Sequence, residues 1–230
     1  MPSVSVIVFD VNETLSDLQP MAQRFTDIGL SAHLAQTWFA QVLRDGFALA
    51  AAGGSATFST IAEGVLRSLF FQHPPNWEPD EAVRHVLDGF SSLQVHPDVP
   101  AGVRALADGG LRQVTLSNGA TRVADTLLTN AGVRQHLESL FSVEAAGRWK
   151  PAPESYAYAA RQCAVPLSEL MLVAVHPWDI HGAARAGLLT AWIDRSGVAA
   201  YPSYLSQPDL TVSGVEDLAR RVVGHEPTPT

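Results

Sequence analysis

The run Val4-Ser5-Val6-Ile7-Val8-Phe9 constrains the fold most, because it is apolar without alternation and stops abruptly at Asp10. A half-buried strand alternates apolar and polar residues. A continuous β-branched run suits a strand covered on both faces, as in a parallel sheet. Open parallel sheets bind ligands just beyond the carboxyl ends of their strands. Asp10 stands at that point, and its first reading is a nucleophile.

After Leu15 the period changes from strand to helix. Residues 19–30, 33–52, 57–72 and 79–91 read as four helices, with Phe25, Trp38, Phe39, Val42, Ile61, Val65, Leu69, Val86 and Phe90 at helical spacing. Gly53-Gly54-Ser55 and His73-Pro74-Pro75-Asn76 break them. No β-branched run interrupts this region, so residues 16–96 are expected to form an all-helical cap inserted after the first strand.

From His96 onward strand and helix alternate. Helices are expected near 100–109, 120–131, 153–163 and 178–187. Strands are expected at 113–116, 139–143, 170–175 and 189–193. Repeated βα order implies an α/β fold with a doubly wound, Rossmann-like parallel sheet. Its core is expected to comprise residues 1–15 and 97–230. The segment 224–230 has the composition of turns and disorder.

The formal net charge is −8, and no basic stripe stands out. That argues against nucleic acid or an anionic membrane as partner. Cys163 is the only cysteine, which leaves no disulfide framework, and its helical context reads as a packed structural thiol. Neither a signal peptide nor an apolar run of membrane-spanning length is recognised, so a cytoplasmic location is expected.

The polar points beside the core strands are Asp10, Ser117-Asn118-Gly119, Lys150 and Asp179. In a parallel sheet these strand ends converge on one edge. A strand-end aspartate can attack carbon to form an ester, or can simply sit in a turn. Thr14 either hydrogen-bonds the loop after Asp10 or caps a turn. Ser117 and Asn118 can bind an anion at the following helix N-terminus, cap that helix, or both. Lys150 precedes Pro151 and a helix, where a cation opposes the macrodipole, so helix stability does not account for it. Asp179 in a first turn is a routine helix stabiliser or a base for water. Tyr156 reads either as a pocket wall with a useful hydroxyl or as core. Trp178 reads either as a pocket wall or as core.

These stretches resemble the haloacid dehalogenase superfamily and, more narrowly, the L-2-haloacid dehalogenases. The matching segments are Phe9-Asp10-Val11-Asn12-Glu13-Thr14-Leu15, Leu116-Ser117-Asn118-Gly119, Lys150-Pro151 with Tyr156, and His176-Pro177-Trp178-Asp179. Arg44 matches the family's cap arginine. The resemblance implies hydrolysis of short 2-haloacids to 2-hydroxy acids through an ester on Asp10, without a cofactor and without a metal. It implies that Lys150 orients Asp10, that Asp179 activates water, and that Thr14 supports the nucleophile. Ser117, Asn118, Tyr156, Trp178 and Arg44 would meet substrate carboxylate or halide. A homodimer follows by analogy only.

Asn12 sorts the chemistry. Phosphatases of the superfamily carry an aspartate there, which protonates the leaving group and supports Mg²⁺, and asparagine cannot donate that proton. Asn12 thus argues against a Mg²⁺-dependent phosphatase, which is the first alternative; a repurposed binding protein is the second. Two departures from the dehalogenase pattern stand out. Ala174 and His176 replace a serine and an asparagine, and Asn12 stands where a tyrosine is common. His176 either narrows the substrate pocket or is a satisfied structural histidine.

Overall fold

The computed structural model describes residues 4–224. β1 (Val6–Phe9) is followed by four helices, α1 (Met21–Asp27), α2 (Leu34–Ala51), α3 (Phe58–Gln72) and α4 (Pro79–Ser91). The chain then runs α5 (Val99–Asp108), β2 (Arg112–Ser117), α6 (Thr121–Asn130), β3 (Ser139–Ser142) and the single turn α7 (Val143–Ala146). It continues through α8 (Pro153–Cys163), β4 (Leu170–Ala174), α9 (Pro177–Ala186) and β5 (Leu189–Ile193). β6 (Leu210–Val212) and α10 (Val215–Val223) complete the core.

The six strands form one parallel sheet in the order β3-β2-β1-β4-β5-β6. Burial on both faces explains the unbroken apolar run of β1. Ile7 and Phe9 pack with Val103, Leu106, Leu128 and Leu218 on the side of α5, α6 and α10. Val6 and Val8 point the other way, onto Tyr156, Ala159, Ile180 and Ala183 of α8 and α9. Each β1 residue therefore meets an apolar layer, which is the condition for a central parallel strand.

The four helices after β1 bury their own cluster, in which Phe25, Trp38, Val42, Phe58, Leu66 and Phe90 meet. Aromatic pairs lock it, such as Trp38 edge-on to Phe90 at 5.7 Å. Trp149 from the core joins this cluster and donates from Nε1 to Ala56 O at 2.9 Å. Gly46 of α2 lies flat on the Trp149 ring, where a Cβ would have no room. The two connections to the helical unit also pair with each other. Asp17 N donates to Gln94 O at 2.8 Å and His96 N to Leu15 O at 2.9 Å. Entry and exit thus share one short antiparallel bridge between Ser16 and Val95.

Every expected helix and strand is present, with ends shifted by at most three residues, the largest shift being at α1, which closes at Asp27. α7, β6 and α10 lie outside the expected elements. β6 is three residues long and only its last residue is buried, so its sequence carries little periodicity. The expected disordered tail falls, beyond Gly224, outside the described residues. No helix among the described residues is long and apolar enough to cross a membrane. Cys163 is buried on α8, and burial pushes its thiol pKa up despite nearby Arg112, as suits a packed residue.

Candidate active site

β1 is central, and its neighbours β2 and β4 leave it in opposite directions along the sheet. A crevice opens at such a reversal of strand order, outside the carboxyl ends. Phe9 is in register with Thr115 of β2 and Val173 of β4, so the three strands end side by side. Asp10 continues β1 by one residue, donating from its backbone N to Val173 O at 3.0 Å.

The chain then turns sharply through Val11–Leu15. Glu13 adopts φ 62°, a left-handed conformation that costs a non-glycine residue roughly 1 kcal/mol. Its carbonyl oxygen is held by His96 Nε2 at 3.0 Å. This turn brings Thr14 back under Asp10. Thr14 Oγ1 donates to Asp10 Oδ2 at 2.6 Å and accepts from Val175 N at 3.1 Å.

Lys150, the chain's single lysine, is wholly buried between two carboxylates. Its Nζ lies 2.9 Å from Asp10 Oδ1 and 2.5 Å from Asp179 Oδ2. The other oxygen of Asp179 accepts from Tyr156 OH at 2.6 Å. Asn118 fixes the backbone of the lysine, accepting from Lys150 N at 2.9 Å and donating to Lys150 O at 3.4 Å. Ser117 Oγ accepts from Gly119 N at 2.9 Å, closing the turn into α6. Asp10, Thr14, Ser117, Asn118, Lys150, Tyr156 and Asp179 thus form one buried polar group, in which Asn12 is also buried.

The charges fall unevenly over this group. Burial raises the pKa of Asp10, but the charges of Lys150 and His176 and bonds from Thr14 and Lys150 outweigh it. The carboxyl is held below its usual range. Burial raises Asp179 as well. Lys150 opposes, Asp10 adds to the rise, and the net direction is upward. Burial alone would lower Lys150, yet the two carboxylates keep it above its ordinary value and charged. Burial and Asp179 together push Tyr156 well up, so its hydroxyl remains a donor. The arrangement can present an ionised, oriented nucleophile beside a more basic carboxylate.

A family model described as a haloacid dehalogenase-like hydrolase matches residues 4–187. The chain belongs to the haloacid dehalogenase-like hydrolases. Among its relatives, haloacetate dehalogenase H-2 of Moraxella sp. (strain B) is 27% identical over 92% of this chain and 95% of its own. The (S)-2-haloacid dehalogenase of Xanthobacter autotrophicus is 27% identical, with 96% of each chain covered. A solved structure of L-2-haloacid dehalogenase from Xanthobacter autotrophicus superposes with a TM-score of 0.86 at 25% identity, covering 97% of this chain and all of the other. A second structure of that enzyme, with chloropropionic acid covalently bound, fits equally well, with a TM-score of 0.86.

One expected site residue of this hydrolase is not brought to the others. Arg44 does not face the crevice. Its side chain is 65% exposed and its Nε pairs with the adjacent Asp45 at 2.8 Å. It borders a shallow surface hollow with Gln41, Leu49, Gly64 and Ser68. The reason is helical phase. Val42 is fully buried in the helical unit, and two residues further on lies about 200° round the axis, on the outer face.

The inner face of α2 carries Phe39 instead. Its ring stacks on His176 at 6.3 Å and 28°, and His176 stacks on Trp178 at 5.1 Å. Phe47 meets Trp178 edge-on at 4.8 Å. His176 Nε2 lies 3.1 Å from Asn12 O, 3.5 Å from Glu13 Oε2 and 3.8 Å from Asp10 Oδ2. It is thus tied to the loop after Asp10 as well as to the helical unit.

Sequence reasoning missed Phe39, Glu13 and Arg195. Arg195 Nη2 donates to Thr14 O at 2.8 Å while Nη1 pairs with Asp98 at 2.5 Å. It follows β5 by two residues, so the strand-end rule that singled out Asp10 also points to it. Phe39 had no such signal, since an aromatic residue on a helix reads first as core.

Proposed function

We propose that the chain is a hydrolytic dehalogenase that cleaves the carbon–halogen bond of 2-haloacids through an ester on Asp10, giving 2-hydroxy acids. The observation that carries this reading is the Asp10–Lys150–Asp179 chain. One ammonium bridges two buried carboxylates of opposite pKa shift. The covalent chloropropionic acid in the Xanthobacter structure supports the ester.

In the first step an Asp10 oxygen bonds to carbon 2 and the halide leaves with the bonding pair. Lys150 and Thr14 hold the carboxylate in line, which supplies orientation before reaction. Ser117 meets the substrate carboxylate, Asn118 and Trp178 border the departing halide, and Asn12 and His176 shape the space for the rest of the substrate. In the second step water attacks the ester carbonyl. Its proton goes to Asp179, whose Oδ1 exchanges the Tyr156 bond for the water, and the ester carbon–oxygen bond breaks to release the hydroxy acid. Lys150 compensates the charge that develops on the carbonyl oxygen. This mechanism needs no cofactor and leaves Arg44 outside. It goes with residues 16–96 acting as a cap and with a cytoplasmic enzyme.

A magnesium-dependent phosphatase fits these residues poorly. The ion would need free oxygens beside Asp10. Asn12 O is 3.1 Å from His176 Nε2, and Asp179 Oδ2 is held by Lys150 at 2.5 Å. Asn12 also supplies no acid for a leaving alcohol.

A single turnover in heavy-oxygen water, with enzyme in excess, tests the proposal. The 2-hydroxy acid is expected to leave with ordinary oxygen, while the peptide carrying Asp10 gains the label. Label in the first-turnover product overturns the ester route. Phosphatase activity lost on chelation, with no halide release, overturns the dehalogenase reading.

A further inference from the structure

Beside the buried carboxylates lies a half-open cleft of about 900 Å³ between the helical unit and the sheet edge. Glu13 and His176 line it, and His176 Nε2 is 3.8 Å from Asp10 Oδ2, so the cleft begins next to the nucleophile. Met21, Trp38, Phe39 and Leu43 of α1 and α2 form one wall, and Val175 and Trp192 contribute to the other. A three-carbon haloacid leaves most of this space unused. Volumes of this order hold much larger ligands, and mostly apolar walls are typical of such sites.

The polar groups at the sheet side narrow the choice of ligand. Arg195 lines the cleft, but its two terminal nitrogens are already bonded to Asp98 and Thr14. Asp194 beside it is anionic and bonds the turn through Ser196 and Gly197. A second carboxylate on the substrate would therefore meet a guanidinium whose two outer nitrogens are taken and whose remaining Nε, though without a partner, is buried out of reach, together with a like charge. An uncharged hydrocarbon chain meets the aromatic and aliphatic wall of α1 and α2.

We infer that this cleft is a tail site, taking the apolar side chain of a medium-length 2-haloacid whose carbon 2 lies at Asp10. The inference rests on the dehalogenase reading above for its reactive end, but the cleft binds the tail whether or not halide is released. Each methylene buried against such a wall is expected to raise kcat/KM by about two- to fourfold until the cleft is filled.

Two measurements decide it. The first uses full-length Asp10→Asn, which forms no ester, titrated with octanoate and propanoate while tryptophan fluorescence is followed, since Trp38 and Trp192 line the cleft. Octanoate is expected to bind at least tenfold more tightly. Adding Ala40→Trp, at an exposed position of α2 that lines the cleft, is expected to erase that preference. Ala22→Phe on α1 repeats the block from the neighbouring helix. Equal affinity for the two acids, or a preference that survives both blocks, overturns the tail site. The second measures halide release by the wild type from 2-bromopropanoate, 2-bromohexanoate and 2-bromooctanoate. A rise with chain length supports the tail site, and a flat or falling series overturns it. Absence of halide from every acid overturns the dehalogenase reading alone, and the fatty-acid titration then decides the cleft by itself.

Discussion

The sheet edge and the helical unit meet at Asp10, and they are built by opposite rules. On the sheet side nearly every polar atom has a named partner. Lys150 touches both carboxylates, Tyr156 and Lys150 take the two oxygens of Asp179, and Asn118 holds the lysine backbone. On the helical side the facing groups are rings, with Phe39 on His176 and Phe47 on Trp178. Charge is fixed where bonds would be made and broken. Apolar shape is left where a substrate would be selected. A buried ionic network tolerates almost no loss, because removing one partner strands the rest. An aromatic wall can change with modest consequences for the chemistry. The family's chemistry and its substrate range would therefore diverge at different rates on the two sides.

Removing Lys150 is the harshest break of that contrast. Lys150→Met leaves Asp10 and Asp179 buried and unpaired. Breaking a buried pair costs about 3–5 kcal/mol. We expect that loss in denaturant unfolding, together with at least a thousandfold fall in halide release. A variant that unfolds normally would show that the two carboxylates do not need the ammonium. Ordinary turnover in the same variant would remove the lysine from the mechanism.

Acid separates the two carboxylates without mutation. The folded Asp179 pKa is raised, so as pH falls it takes up its proton in the folded protein before it would in the unfolded chain. That uptake adds stability on the way down. Asp10 is lowered, so its contribution to stability is present above the unfolded pKa and is lost only as pH falls through the lower folded value. Between the two transitions Asp10 is ionised and Asp179 is neutral. Ester formation is expected to continue in that window while ester hydrolysis slows, so the ester accumulates. Acid-quenched samples analysed for the mass of the Asp10 peptide check this. An ester fraction that stays flat as pH falls would mean that Asp179 is not the base.

Much of this was legible beforehand for a physical reason. Strands of a parallel sheet are buried on both faces, so Val6–Phe9 and Leu170–Ala174 announce themselves as apolar runs, and a polar residue at their ends is conspicuous. Asp10, Ser117 and Asp179 were found in that way. Lys150 stood out as a cation badly placed for a helix. What could not be read was the rotational phase of α2 against the core. Arg44 and Phe39 are five residues apart on one helix, and which of them faces Asp10 depends on how Trp38, Val42 and Gly46 seat against the cluster containing Trp149. Pairings across long sequence separations, such as Arg195 with Thr14, were equally invisible, because they need the fold first.

Arg195 gives an intermediate effect. It ties Asp98 to the carbonyl of Thr14, and Thr14 in turn holds Asp10, so it positions the Asp10 carboxylate through another residue. Arg195→Ala is expected to lower kcat about tenfold with little change in KM, and to cost about 2 kcal/mol as charge-assisted bonds are lost. A change confined to KM would instead place Arg195 in substrate binding.

Arg44 should have the smallest effect, and it tests the comparison from the helical side. If selectivity there comes from rings rather than from a cap cation, its charge is dispensable. Its guanidinium pairs with Asp45 in solvent, and exposed pairs of this kind contribute little. Arg44→Ala is expected to change kcat/KM for 2-bromopropanoate less than twofold, with the salt dependence of the rate unaltered. Phe39→Ala is the matched control on the inner face, and should shift chain-length preference while leaving the Asp10 ester detectable. A tenfold loss in Arg44→Ala, unmatched by Phe39→Ala, would mean that α2 rotates during turnover. In that case the arginine would reach the crevice and the helical side would carry charge after all.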